Sequence, residues 1–375
     1  MNTKDPANPN RTDPEGRTKP TRTRFRELVL NLSLSLAVCV GLFVICELGL
    51  RWFAPIQTIV PASDWTPQYG VIAFADVEIV NAQPGVFRNI YTTNSARYRG
   101  PLVSPEDPGD KIVLLGDSNI FGFGVDDDKT IAARMNARLP EGTRAVNLGN
   151  GGWSLPQEVR RYLELGADLR PKAVVLHMAS NDLEDPVYGI CWVAYADATG
   201  ELRLRDAPEN PAGRLRKWMP PDRWLYGVVM SSQVMMRVKG LLNRYAMGVS
   251  TRPDGTAKPV DESREQELVP KDQVIVRTNR AENERRYVAL LEAFAARLRR
   301  DGVRFVFLTD DENIYGAKTL SARVAALEEG GHLEHHRVSD WFVPGRDMPR
   351  SLQGHQWGDE AADLIAKRLV ALLQR

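Results

Sequence analysis

The sequence predicts an α/β protein: a three-layer α/β/α domain around a parallel central sheet, joined to one N-terminal transmembrane helix. Three observations carry this. Short runs of β-branched and aliphatic residues recur as KIVLL (111–115), RAVNL (144–148), KAVVLHM (172–178) and VRFVFLT (303–309), which is how strands buried on both faces read. Helical periodicity separates several of them, at 130–139, at 156–169 and in NERRYVALLEAFAARLRRDG, where Tyr287, Leu290, Leu291, Phe294 and Leu298 recur at helical steps before Gly302. Such alternation calls for helices on both faces of a parallel sheet. Third, the nineteen residues Leu28–Cys46 carry no charge.

Taken in order, residues 1–26 hold seven Lys or Arg against three acids, with almost nothing apolar. A stretch of that composition cannot repay the entropy of its own ordering, so it reads as a disordered basic tail. The anchor is placed at 27–50, because nineteen helical residues span about 28 Å, close to the ~30 Å hydrocarbon thickness of a bilayer. A buried soluble helix and a cleaved signal peptide compete with it. The run is long for a core, and Glu47, Arg51, Trp52 and Phe53 follow where a small-residue cleavage site would stand. Since the basic excess precedes the span, the tail is expected in the cytoplasm and everything beyond about residue 52 outside. The chain then reads as a single-pass inner (plasma) membrane protein whose main domain is periplasmic or extracellular.

Residues 51–106, with VIAF, VEIV and YTTNSARYRG, read as a lead-in of short strands. The main domain runs from 107 to 375 and closes with a helix from about Asp359 to Leu373. Between Asn181 and Asn283 the alternation breaks into turn-rich pieces and one aromatic piece, KWMPPDRWLYGVVM, so 186–270 reads as an inserted lid or small subdomain, flexible at 248–270.

Composition excludes some classes. The 49 basic residues are offset by 48 acidic ones, which removes any electrostatic case for nucleic-acid binding by the whole chain. Cys39 and Cys46 lie in the span, leaving Cys191 alone beyond it; neither a disulfide framework nor a thiolate zinc site is available.

The chemistry concentrates at strand ends. KIVLL stops at Gly116-Asp117-Ser118, and in a parallel sheet ligands bind outside the carboxyl ends of strands. A serine there can attack a carbonyl while nearby backbone N–H groups meet the developing oxyanion; turn and N-cap chemistry is the plain alternative. NLGNGGWS follows the second strand and ASND the third, so three small polar clusters converge on one mouth. Asp117 and Asp182 read as carboxylates bonded to loop amides, Asp126–Asp128 as a solvated turn, and GFG as a poor phosphate cradle because no Lys-Ser/Thr pair follows. His177 reads as a core histidine, and His332, His335 and His336 as an exposed charged turn with a metal site as the lesser reading. Trp192, Tyr195, Trp218, Trp224 and Tyr226 offer faces for a sugar ring or packing for their own insert.

GDS at 116–118, NLGNGG at 147–152 and ASND at 179–182 resemble the first three blocks of the SGNH (GDSL-type) hydrolases, most nearly the membrane-anchored bacterial members. The resemblance covers about 111–185, and the chain from 303 loosely. It implies a flavodoxin-like three-layer fold, no cofactor and no metal. It also implies Ser118 as nucleophile, with the Ser118 and Gly152 amides and the Asn181 side chain as oxyanion donors. The fourth block departs from the pattern: matching His355, Trp357 and Gly358 to His-Trp-Asn needs Gln356 as an insertion, and the expected acid position is Leu352. The base is therefore His355, with His335 and His336 as alternatives, and the acid is Asp347, Asp340 or none. The implied activity is that of an esterase or O-acyltransferase on ester groups, O-acetyl above all, of an exported glycan or another small ester, alongside polysaccharide export or modification machinery. A catalytically inactive carbohydrate-binding or scaffolding protein on the same frame is the alternative.

Overall fold

The computed structural model describes residues 22–61, 63–184, 190–208, 224–247, 274–276, 280–310, 314–342 and 357–375. The chain divides into two compact units, one ending at Ala54 and one comprising Pro55–Arg375.

The first unit is helix α1, Arg22–Phe53. Its segment Phe25–Phe53 is long and apolar enough to cross a membrane, a property shared by anchors and signal sequences. The helix starts inside the stretch expected to be disordered and continues past residue 50. After Pro20 neither Pro nor Gly interrupts the chain until Gly41, so nothing stops the helix from extending over Arg22–Glu27. Residues 1–21 lie outside the described residues.

In the second unit, five parallel strands form the central sheet: β6 (Asp110–Leu115), β7 (Thr143–Asn147), β8 (Ala173–Met178), β13 (Arg304–Thr309) and β14 (Glu334–Arg337), in the order β14-β13-β8-β6-β7. Alternation along β6 splits its side chains between two cores. Ile112 and Leu114 face α3 (Ile131–Asn136) and the C-terminal helix α9 (Asp359–Leu373), packing with Met135, Ile365 and Leu369. Val113 and Leu115 face α4 (Leu155–Arg161), α7 (Arg280–Arg300) and α8 (Lys318–Glu329), packing with Val159, Leu290, Phe294 and Leu320. The result is the expected three-layer α/β/α arrangement. A four-residue helix, α2 (Ser118–Phe121), follows β6.

Strand β14 corrects the sequence reading. The composition of GHLEHH predicts a charged turn, whereas Glu334–Arg337 pairs with β13 at the sheet edge, where ladder hydrogen bonds suffice without an apolar alternation and charged side chains are ordinary.

Preceding the sheet, β1 (Thr58–Val60), β4 (Glu78–Gln83) and β5 (Phe87–Thr92) form an antiparallel sheet, and β2 (Asp64–Thr66) pairs with β3 (Gly70–Ile72). These strands pack onto the central unit. Tyr69 stacks on Trp153 with ring centroids 5.1 Å apart, and its hydroxyl donates to Glu164 Oε2 at 2.6 Å. The described part of the insert comprises β9 (Ile190–Cys191), β10 (Ala194–Ala196), β11 (Leu202–Leu204), α5 (Trp224–Ser231) and α6 (Gln233–Met247). Its root is closed by antiparallel pairing of β9 with β12 (Ile275–Val276). Arg160 reaches across to donate to the Arg205 carbonyl at 2.9 Å. Covered by lead-in and insert together, α4 buries all seven of its residues, charged ones included. The segment 248–270 and Trp218 lie outside the described residues.

Candidate active site

The turn after β6 is built by exclusion. Gly116 sits at φ 156°, where a Cβ would collide with Ile120 Cγ1. A Cβ on Gly149, in the loop after β7, would stand 2.7 Å from Ile120 Cγ2. Glycines thus let two loops close on one isoleucine. Asp117 caps α2, its Oδ1 accepting from the Asn119 N–H at 2.8 Å, and its Oδ2 accepts from the Ser118 hydroxyl at 3.0 Å. The β7 loop brings Gly151 so near that a methyl there would lie 3.9 Å from Ser118 Cβ. Gly152 follows at φ 79° with open space where a side chain would stand. Asn181 lies exposed in the turn after β8, and the neighbouring Asp182 is buried with Oδ2 accepting from the Ala179 N–H at 3.0 Å. Both aspartates therefore bond loop amides, as their sequence contexts suggested.

Since β7, β6 and β8 are parallel neighbours, Ser118, Gly152 and Asn181 all follow strand ends on the same side of the sheet. His355 and Asp347 lie outside the described residues. The alternative bases are elsewhere. His335 and His336 sit on β14, three strands from β6, about 14 Å across the sheet at ~4.8 Å per strand. His335 Nε2 is 2.9 Å from Thr309 Oγ1, and burial holds both imidazoles below the usual histidine range. Adjacent strand residues point to opposite faces, which also separates the two as joint metal ligands. Asp340 is half-exposed in a 3-10 turn, paired with Arg337 at 2.8 Å.

Behind Asp117 lies a buried polar cluster that sequence reasoning missed. His177 is fully buried at the end of β8, with Nε2 3.1 Å from Asp310 Oδ1 and Nδ1 3.8 Å from Asp117 Oδ1. Burial pulls its pKa down, but the Asp310 and Asp117 carboxylates outweigh burial and push it up to about 10. Burial first, and repulsion from Asp117 second, hold Glu158 well above the usual carboxylate range. Asp182 is raised in the same way by burial, then by Glu158 and Asp117. The Trp357 ring rests on His177 with centroids 4.2 Å apart. Asp310 had a readable signal: it follows VRFVFLT directly, the same strand-end position that singled out Ser118 and Asn181. Glu158 had none, because a glutamate in a helix reads as solvated.

Asp126–Asp128 form the exposed turn expected from the sequence, and Asp127, its side chain 40% exposed, has a further role there. It accepts from Arg99, whose side chain is 1% exposed. Arg99 also donates to the carbonyls of Phe121, Gly122 and Val125, tying the lead-in to the loop that leaves Ser118. Among the insert aromatics, Trp192 and Tyr226 are buried, Tyr195 lies under the Arg205 guanidinium and Trp224 is exposed.

No protein-family model matches the chain, and no curated protein matches it in sequence. Solved structures to which it is similar include TesA, at 13% identity over 71% of this chain and 98% of the other with a TM-score of 0.37. A member of the lipolytic protein G-D-S-L family from Veillonella parvula aligns at 10% identity over 71% and 100%, TM-score 0.36. The psychrotrophic esterase EstA from Pseudoalteromonas sp., inhibited by monoethylphosphonate, aligns at 12% over 71% and 97%, TM-score 0.37. Likenesses this distant carry no weight of their own; the residues at the mouth have to.

Proposed function

We propose that the protein is a membrane-anchored serine esterase or O-acyltransferase that works through an acyl-enzyme on Ser118. The observation that carries this reading is the setting of Ser118: it follows the central strand directly, its hydroxyl is held at 3.0 Å by a buried aspartate, and a glycine loop closes over it.

In this mechanism Ser118 Oγ attacks the ester carbonyl carbon while its proton passes to the His355 imidazole, the usual means of activating serine near neutral pH. The Ser118 and Gly152 amides and the Asn181 side-chain amide donate to the oxyanion. Collapse breaks the ester bond, and the leaving alkoxide takes the proton from the imidazolium. Water or a sugar hydroxyl then attacks the acyl group, giving its proton to the imidazole, and Ser118 recovers that proton as it departs. Support for His355 over the other histidines comes from the chain itself. It stands two residues before Trp357, at most ~7 Å of chain, and Trp357 packs on the cluster behind Ser118. Asp347 is the proposed orienting acid. Asp117 serves to hold the serine, since its Oδ1 is already engaged by the Asn119 amide.

The substrate class, O-acetyl groups of an exported glycan, rests on the sequence resemblance. The burial of Trp192 and Tyr226 removes part of the aromatic argument for sugar binding.

Acyl release from p-nitrophenyl acetate tests the assignment. Ser118→Ala and His355→Ala should abolish the burst, whereas Asn181→Ala should slow it about a hundredfold, ~3 kcal/mol for one oxyanion donor. Wild-type acylation by His355→Ala would remove that histidine from the mechanism and leave Ser118 in place. Product analysis with an O-acetylated glycan separates hydrolysis from transfer.

A further inference from the structure

Among the described residues of Pro55–Arg375, six of the nine exposed large hydrophobic side chains lie on two consecutive helices: Trp224, Leu225 and Val228 on α5, and Met235, Val238 and Leu241 on α6. Scattered surface hydrophobics need no explanation, but a concentration of this kind marks a contact surface. On α5 the three residues occupy one arc of about 100°, opposite the buried Tyr226 and Met230. On α6 the stripe is flanked in sequence by Lys239 and by Arg237, whose Nη1 donates to Gln233 O at 3.1 Å and to Gln233 Oε1 at 3.2 Å.

What covers this surface is indicated by the chain's own connectivity. Helix α1 ends with Trp52 and Phe53, 82% and 90% exposed, and tryptophan is the residue that marks the membrane–water boundary. Three residues beyond Phe53, Ile56 is clamped by Gln233, the first residue of α6. The Ile56 N–H donates to Gln233 Oε1 at 2.7 Å, and its carbonyl accepts from Gln233 Nε2 at 3.0 Å. Four residues, Trp52 to Ile56, extend at most ~14 Å, which keeps the start of α6 close to a headgroup layer ~5–8 Å thick.

Resting on the reading of α1 as a membrane anchor, we propose that α5 and α6 lie on the lipid bilayer as an interfacial patch, their apolar side chains at the acyl boundary. The flanking cations match the architecture of interfacial helices. Because the tether makes the contact intramolecular, weak intrinsic affinity is enough.

The test uses the full chain in liposomes containing phosphatidylglycerol, in a Cys39→Ser, Cys46→Ser background, with buried Cys191 kept. Nitroxide labels are carried in turn by Val228→Cys, Leu241→Cys, Val38→Cys in the span and Asp128→Cys on the exposed turn. Collision with oxygen, which partitions into lipid, is compared with collision with a water-soluble nickel chelate. The proposal expects labels at 228 and 241 to favour oxygen severalfold, as at 38, while 128 favours nickel. Labels at 228 and 241 that behave like 128, with 38 still lipid-exposed, overturn the proposal and leave the anchor standing. A nickel-accessible label at 38 overturns the anchor and the proposal together. Spin–spin broadening at 228 without oxygen preference assigns the face to a second copy of the chain and also overturns it.

Discussion

Ser118 and Asp117 share a hydrogen bond, and behind it the buried histidine and carboxyls link folding to pH. His177 is raised from the ordinary 6.5 to about 10, chiefly because two carboxylates overcome burial. The folded chain thus keeps a proton that the unfolded chain releases above about pH 6.5. Its contribution to stability is complete below that pH and is lost as pH rises through about 10. Urea midpoints are expected to fall across that window in the wild type, with a shallower fall in His177→Gln; equal slopes would contradict a charged His177. Glu158 is raised by burial, so folding above the usual carboxylate range requires it to take up a proton. Glu158→Gln, which copies the protonated side chain, should therefore gain stability relative to wild type at pH 8 and differ little at pH 4. A variant no more stable than wild type at pH 8 would show that the carboxyl is not held neutral. His177 was legible only as a core histidine, since its partners come from two other strands' ends and no local spacing announces them.

At the scale of elements, four of the five central strands were readable to within about one residue, because a strand buried on both faces must be a short apolar run. Strand β14 was not, since EHHR has the composition of a turn and is a strand only through its partner β13. The helix following the second strand was legible at 156–169 but not its division into α4 and a π turn at Tyr162–Gly166, nor the burial of its charged face by elements distant in sequence. Arg99 is the clearest case of such a tie. It holds the carbonyl of Phe121, the last residue of α2, and those of Gly122 and Val125 in the loop that follows, all three bonds buried. Arg99→Ala removes its three hydrogen bonds to them, although Phe121 O keeps Asn147 Nδ2 and Gly122 O keeps the Val125 N–H; at about 1 kcal/mol for each lost hydrogen bond the expected loss is ~3 kcal/mol in urea denaturation, with a lower turnover because the loop leaving Ser118 is loosened. Unchanged stability would mean that water replaces the guanidinium without cost.

For the whole molecule, the sequence separates an apolar N-terminal helix from an α/β domain, and the structure divides into two compact units, one ending at Ala54 and one starting at Pro55. The intimate packing of residues 55–106 on the central unit was not readable, because short strands with little periodicity do not reveal their partners. External protease on sealed spheroplasts is expected to cut the insert and leave the N-terminal tail intact; complete protection of both insert and C-terminus would reverse the topology. Ser118 is the residue on which the proposed chemistry turns, and its nucleophilicity can be measured directly. That measurement is peptide mapping of the full-length chain after treatment with a serine-reactive phosphonate from pH 6 to 9. One covalent adduct on Ser118 is expected, absent in Ser118→Ala and slowed in Asn181→Ala. A wild type that stays unlabelled across that range, or is labelled elsewhere, would contradict the proposed chemistry.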